Sequence, residues 1–328
     1  MKYKTFLLLA FIFLLVPLAT RAQIGGFGGS ELTALVFPQY PGPEVPARIV
    51  LQNFSVDLDS STITWTINGR QVLSGMGEKE LFFSTGKRGV VTRIGITVRS
   101  GNSAVTKTLS INPGSVSLLW EAQTFVPLGY KGKALPSPEA TMKIVAMPHL
   151  FSGGKEVPSE KLVYTWKVDN KIKNQASGFG KNVLFYKKDL IQGGSVVSVL
   201  VSTTDGTITT EKTVELPEVE PEIHFYEESP LSGTILESTL DAGAALLEGE
   251  ATVRAAPYFV SLEDISLATL KSAWSINGEI VPSGTDPFVL TLRSGEGGSG
   301  ASQIGFAAEN IRKILQSARN SFFITFEK

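Results

Sequence analysis

The side chains able to do chemistry are few and far apart. Two histidines are present, His149 and His224, and neither belongs to an HxH, HExxH or HxxxH spacing that would aim two imidazoles at one metal. Cysteine is absent, which removes thiol nucleophiles, iron–sulfur clusters and thiolate zinc sites. No GxSxG elbow presents a serine for acyl transfer. The GxG triplets at residues 75–77 and 178–180 lack the following helix and lysine of a phosphate loop and read as hairpin glycines. Asp57-Leu58-Asp59 and Asp205-Gly206 could lend loop carboxylates to a surface calcium ion, but the acidic spacing is thin, so turn chemistry is the preferred reading. The expectation is a non-enzyme with no catalytic residue, no cofactor and no metal.

The elements that carry these residues are repeated. TWTING at 64–69, TWKVDN at 165–170 and AWSING at 273–278 share one pattern. Trp65, Trp166 and Trp274 each alternate with polar neighbours, the period of a strand with one buried face. Each strand then runs into Asn68-Gly69, Asp169-Asn170 or Asn277-Gly278, residue types that accept the positive φ of a type I′ hairpin turn. A Ser-Gly pair follows each Trp by about ten residues, at Ser74-Gly75, Ser177-Gly178 and Ser283-Gly284. Another alternating strand follows about 30 residues on, at 94–98, 197–201 and 304–306. Trp65 to Trp166 is 101 residues and Trp166 to Trp274 is 108, so the unit is about 100 residues long. About seven short strands in that length make an antiparallel β-sandwich, with the Trp packed between its sheets as structural core.

The units resemble immunoglobulin-like domains of the PKD type that occur in tandem on bacterial surface proteins. The stretches LLWEAQTFVPLGYKGKALPS at 118–137, YTWKVDN at 164–170 and FYEESPLSG at 225–233 also give the mature chain a resemblance to exported multi-domain proteins of bacteria with reduced genomes. The fold expected is all-β: three tandem Ig-like, PKD-like antiparallel sandwiches after an N-terminal signal peptide. The third unit departs from the pattern, because NIRKILQSARN at 310–320 reads as a helical turn or two before a last strand.

Lys2 and Lys4, the apolar run 6–18 and the small residues Thr20 and Ala22 suit a signal peptide cleaved after Ala22, with an uncleaved anchor as the alternative. The expected division is a signal peptide 1–22, a flexible leader 23–33, and domains 34–112, 113–217 and 218–328. The leader is glycine-rich, and the ELTALVFP segment after it is a candidate donor strand. Cleavage would remove three of the 30 basic residues and none of the 31 acidic ones. A mildly acidic chain with no basic stripe gives no reason to bind nucleic acid. No second apolar run approaches the length of a spanning helix, so the cleaved protein is not expected to be integral to a membrane.

Prolines at Pro113 and in LPEVEPE at 216–222 mark stiffened joints between units. After them come the aromatic–acidic stretches Leu119-Trp120-Glu121 and Phe225-Tyr226-Glu227, each leading to a Pro-Leu pair, Pro127-Leu128 and Pro230-Leu231. One reading is a first strand packed on the preceding domain. The other is a partner-binding loop formed by Trp120, Phe125, Tyr130, Lys131 and Lys133. The function expected is an exported structural or adhesive binding module, periplasmic, extracellular or on the cell surface, with other envelope or surface proteins or glycans as partners. The alternative is a component of a pilus or secretion apparatus; a carbohydrate-active or proteolytic enzyme lacks paired catalytic groups.

Overall fold

The structure is a computed structural model that describes residues 32–53, 56–187, 193–246, 250–266, 268–293 and 300–326. The expected signal peptide lies outside the described residues, as does nearly all of the leader. The chain is all-β, in three Ig-like sandwiches of one plan. In the first, Thr33–Phe37, Pro46–Gln52 and Glu80–Ser84 form a three-stranded sheet, and Arg70–Met76, Thr62–Ile67, Thr92–Ser100 and Ser103–Ile111 form the four-stranded sheet facing it. The second sandwich repeats this with Ser115–Ala122, Thr141–His149 and Val183–Lys187 facing a sheet centred on Val163–Val168 and Ser195–Ser202. In the third, Glu222–Ser229, Glu250–Tyr258 and Val289–Arg293 face Leu270–Ile276, Gly300–Asn310 and Ser317–Phe326. The segment once open to a donor-strand reading, Thr33–Phe37, pairs along its length with Pro46–Gln52 of its own sandwich.

Each sandwich closes on its own apolar core, and each core contains one Trp. Trp65, Trp166 and Trp274 are 0, 0 and 1 % exposed. Burial of the indole leaves its N–H in need of an acceptor. In all three copies a backbone carbonyl two residues before a strand of the facing sheet supplies it: Glu78 at 2.8 Å, Lys181 at 2.9 Å and Pro287 at 3.0 Å.

The turns after the Trp strands have φ of +51° and +82° at Asn68-Gly69, +50° and +62° at Asp169-Asn170, and +52° and +89° at Asn277-Gly278. The side-chain oxygen of the first turn residue also reaches sideways. Asn68 Oδ1 accepts the N–H of Arg93 at 2.9 Å, Asp169 Oδ1 that of Val196 at 2.8 Å, and Asn277 Oδ1 that of Gln303 at 2.9 Å. The turn residue therefore serves two ends at once, because Asn and Asp both tolerate left-handed backbone and carry an acceptor.

The third sandwich corrects one expectation. Residues 311–316 form a tight turn, and the last strand begins at Ser317. The ladder pairs Glu309 with Ser317, which leaves space for a short connection only. Lys313 and Gln316 turn inward while Ile311 and Ile314 stay exposed, the reverse of an amphipathic helix.

Candidate functional site

Residues 123–139 leave the second sandwich and lie across the third. Phe125 donates its N–H to the Val260 carbonyl at 2.7 Å and accepts the Phe259 N–H at 2.8 Å. Leu262 N–H bonds to the Gln123 carbonyl at 3.1 Å, and Val219 N–H to the Pro136 carbonyl at 3.0 Å. The first strand of the third sandwich therefore packs on a segment of the preceding unit through Tyr226, which lies in its aromatic–acidic stretch. Val126 and Leu135 cover Tyr226, Ala256, Tyr258 and Phe259 on the outer face of the third sandwich's Glu222–Ser229 and Glu250–Tyr258 strands, making a fourth apolar cluster.

A buried polar network fastens the joint beside it. Gln316 is fully buried, and both ends of its amide are used. Its Nε2 donates to Ser137 Oγ at 3.2 Å and to the Pro138 carbonyl at 2.8 Å, across the joint. Its Oε1 accepts from Ser261 N–H at 3.0 Å and from Asn310 Nδ2 at 3.1 Å. Next to it the buried Lys313 Nζ lies 2.5 Å from Asp264 Oδ2, and Asn310 Nδ2 donates to the same carboxylate at 2.9 Å. Burial alone would raise the Asp264 pKa, but the bonds from Lys313 and Asn310 overcome it and hold the carboxyl down at about 2.

Two cavities flank the crossing segment. The smaller, about 400 Å³, is apolar, with Phe125, Leu128, Leu236 and Phe288 in its walls. The larger is a groove of about 850 Å³ on the outer face of the third sandwich, and it includes Tyr130, Lys131, Glu222, His224, Glu237 and Tyr258. Its floor is aromatic: the Tyr258 and Tyr226 hydroxyls bond to each other at 2.6 Å, and Tyr130 meets Tyr258 edge-on with centroids 5.3 Å apart. Burial, helped by that hydroxyl bond, pushes the Tyr258 phenol up, so it stays neutral. At the groove's edge His224 is held between Asp241 at 2.6 Å and Glu222 at 3.0 Å. Partial burial opposes its charge, yet the two carboxylates outweigh burial and its pKa is raised.

The five loop residues singled out from the sequence divide into three places. Tyr130 and Lys131 line the groove, and Phe125 lines the neighbouring apolar cavity. Trp120 faces inward, half-buried against the second core, with Lys133 Nζ 3.1 Å over its ring, a cation–π contact that occupies both side chains. Desolvation in this contact lowers the Lys133 pKa. Sequence reasoning set His224 aside and did not single out Glu237, Tyr258 or Phe259; of the groove floor, Tyr130 was singled out and Tyr226 fell in a stretch it had marked.

The other candidates for chemistry are engaged locally. Asp57 accepts the Asp59 N–H at 3.0 Å, Asp59 pairs with Lys79 at 2.8 Å, and Asp205 takes the Thr207 N–H at 3.1 Å. His149 pairs with Glu156 at 2.6 Å. Among the described residues no group of three or more His, Asp or Glu side chains could hold a metal ion, and no helix is long and apolar enough to cross a membrane.

No protein-family model and no curated protein matches the chain. Among solved structures it is similar to the three N-terminal domains of the highly immunogenic outer capsid protein of bacteriophage RB49, at 11% identity and a TM-score of 0.26 over 90% of this chain and 97% of that one. It is also similar to SGBP-B of the Bacteroides ovatus mixed-linkage glucan utilization locus, solved with a mixed-linkage heptasaccharide, at 14% identity and a TM-score of 0.24 over 87% of this chain. The match spans 64% of that protein's length. Fibronectin(III)-like modules of Clostridium thermocellum CbhA are similar at 11% identity and a TM-score of 0.28, over 57% of this chain and 95% of theirs. The fold assignment rests on the sheet orders and cores described above.

Proposed function

We propose that the chain is a non-enzymatic binding module of the cell envelope or cell surface. Its domains are 34–112, 113–217 and 218–328, and it presents the groove between the second and third to another surface protein or a glycan. Export by a cleaved signal peptide, the PKD type of the domains and kinship with exported proteins of reduced-genome bacteria belong to the same reading. One observation carries it. The segment 123–139 is fastened across the third sandwich by backbone bonds and by the Gln316 network, yet the groove beside it is left open, with Tyr130 39 % exposed. A fixed joint with an aromatic, polar-edged groove is what a recognition surface needs, since preorganisation lowers the entropy lost on binding. Passing envelope preparations of the producing cell over the immobilised chain tests this: retention of a surface component that weakens on Tyr130→Ala supports it. Recovery of no envelope component, or hydrolase turnover that survives purification, overturns it.

A second reading, an assembly contact in a pilus or secretion apparatus, is favoured by Phe82 and Phe185. They stand at equivalent positions on the outer sheet faces of the first and second sandwiches and are 72 and 61 % exposed. Exposed aromatic residues at repeated positions are what a neighbouring subunit would cover. Co-purification with pilin-like or secretion proteins that is lost in Phe82→Ser/Phe185→Ser, with Tyr130→Ala harmless, would select this reading.

A further inference from the structure

We infer that the 850 Å³ groove binds an uncharged hexopyranose chain, with Tyr130 as the stacking platform and Gly132 as the residue that positions it. This rests on the recognition role proposed for the joint and names its ligand class.

The Tyr130 ring is fixed before any ligand arrives. It lies so close over the backbone of Gly132 that a Cβ at that position would come within 2.4 Å of its Cζ and hydroxyl oxygen. Tyr258 braces it edge-on at an interplanar angle of 79°. The ring nevertheless remains partly exposed in the groove. A held, accessible phenol ring matches the flat C–H face of a pyranose, in which apolar contact and a polar tip are combined. The groove's polar groups suit the hydroxyls around such a ring. Glu222 and Glu237 accept, Lys131 donates, and Thr239 does both. Among the described residues, neither Glu237 nor the Tyr130 hydroxyl has an intramolecular hydrogen-bond partner, so both are available to a ligand.

Charge selects among sugars. Glu222 and Glu237 line the groove with Lys131, and Asp241 stands behind His224. Carboxylates outnumber the ammonium, so a uronic acid chain would meet like charge, whereas a neutral hexose chain would not. A peptide ligand fits less well. Peptides are commonly held through backbone bonds along a sheet edge, but this groove crosses a sheet face and offers side-chain groups. Its size falls within the roughly 300–1,000 Å³ usual for small-ligand sites.

The test is calorimetric titration of the full chain with cellohexaose, chitohexaose, mannohexaose and, as the charged control, hexagalacturonate. Binding of at least one neutral hexasaccharide and none of the galacturonate is expected. Tyr130→Ala should weaken binding by about tenfold, the scale of one lost ring contact. Gly132→Ala should weaken it similarly at an unchanged unfolding midpoint, because Gly132 has no positive φ and the three atoms nearest the new methyl all belong to the Tyr130 side chain. Failure of all three neutral sugars to bind at millimolar concentration overturns the ligand class, as does binding indifferent to both substitutions. If no sugar binds but Tyr130→Ala still abolishes retention of an envelope protein, the glycan assignment falls while the joint stands as a recognition surface. Loss of both takes the recognition role with it.

Discussion

Lys313→Met removes the only ammonium, among the described residues, in contact with Asp264, whose carboxylate is 1 % exposed in the joint between the second and third sandwiches. Arg312 stands 3.7 Å from the other carboxylate oxygen, but half its side chain is in solvent, so it replaces little of the charge. Leaving a buried carboxylate unpaired costs about 3–5 kcal/mol, and the third sandwich should lose that much at neutral pH. The sign of the pH dependence makes the test sharp. In the native chain the Asp264 pKa is depressed, from 3.8 to about 2, so it contributes about 2 kcal/mol that is fully present above pH 3.8 and is lost as pH falls towards 2. Without Lys313, burial dominates and the pKa rises above 3.8, so protonation in acid relieves the variant. The gap between native chain and variant should therefore shrink from pH 7 to pH 3. Asp264→Asn added to Lys313→Met should recover most of the loss, because the amide oxygen still accepts from Asn310. Hydrogen exchange of the amides at 253–261 and 304–310, followed against urea, reads the third sandwich without interference from the other two. A loss under 1 kcal/mol at neutral pH, or a gap constant with pH, would refute the paired-charge account.

Trp65→Ala should destabilise the first sandwich by about 4 kcal/mol through the cavity it leaves. Urea unfolding read by exchange at residues 94–98 checks this, and an unchanged midpoint would contradict the core assignment. Asn277→Ala deletes the acceptor of the Gln303 N–H and places alanine at a φ of +52°; about 1–2 kcal/mol should be lost from the third sandwich. Asn277→Asp, which keeps both the acceptor and the tolerance for that backbone, should restore it. The raised pKa of His224 means its ion pairs with Asp241 and Glu222 stabilise the fold below the unfolded value of about 6.5 and stop doing so as pH rises through the folded value. The difference in melting temperature between the native chain and His224→Gln should thus narrow from pH 6 to pH 9. A difference that stays constant over that range would count against the ion pairs.

The Trp strands and their turns could be read from the chain alone because their determinants are local. A period of two fixes which side of Ile63, Trp65 and Ile67 is buried, and Asn-Gly accepts positive φ whatever surrounds it. The even spacing of the repeats did the rest, since each unit must close its own core. The same logic failed across 310–320, where apolar residues at helical spacing suggested helix and the ladder between Glu309 and Ser317 imposed a turn. At Trp120 the sequence left a packing strand and a partner-binding loop both open; in the structure strand alternation turns the ring inward, and Lys133 lies over it.

What the sequence by itself determined is a count of sandwiches, their Trp cores and their hairpin turns, all set by residues within about thirty positions of one another. Only the tertiary structure decided where the second sandwich meets the third. Ser137, Ser261, Asp264, Asn310, Lys313 and Gln316 join one buried network across the joint, and several of their bonds go to backbone groups, which carry no residue identity. Tyr130, Glu222 and Tyr258 share one groove for the same reason: they come from three separate segments, and no periodicity links positions that only packing brings together.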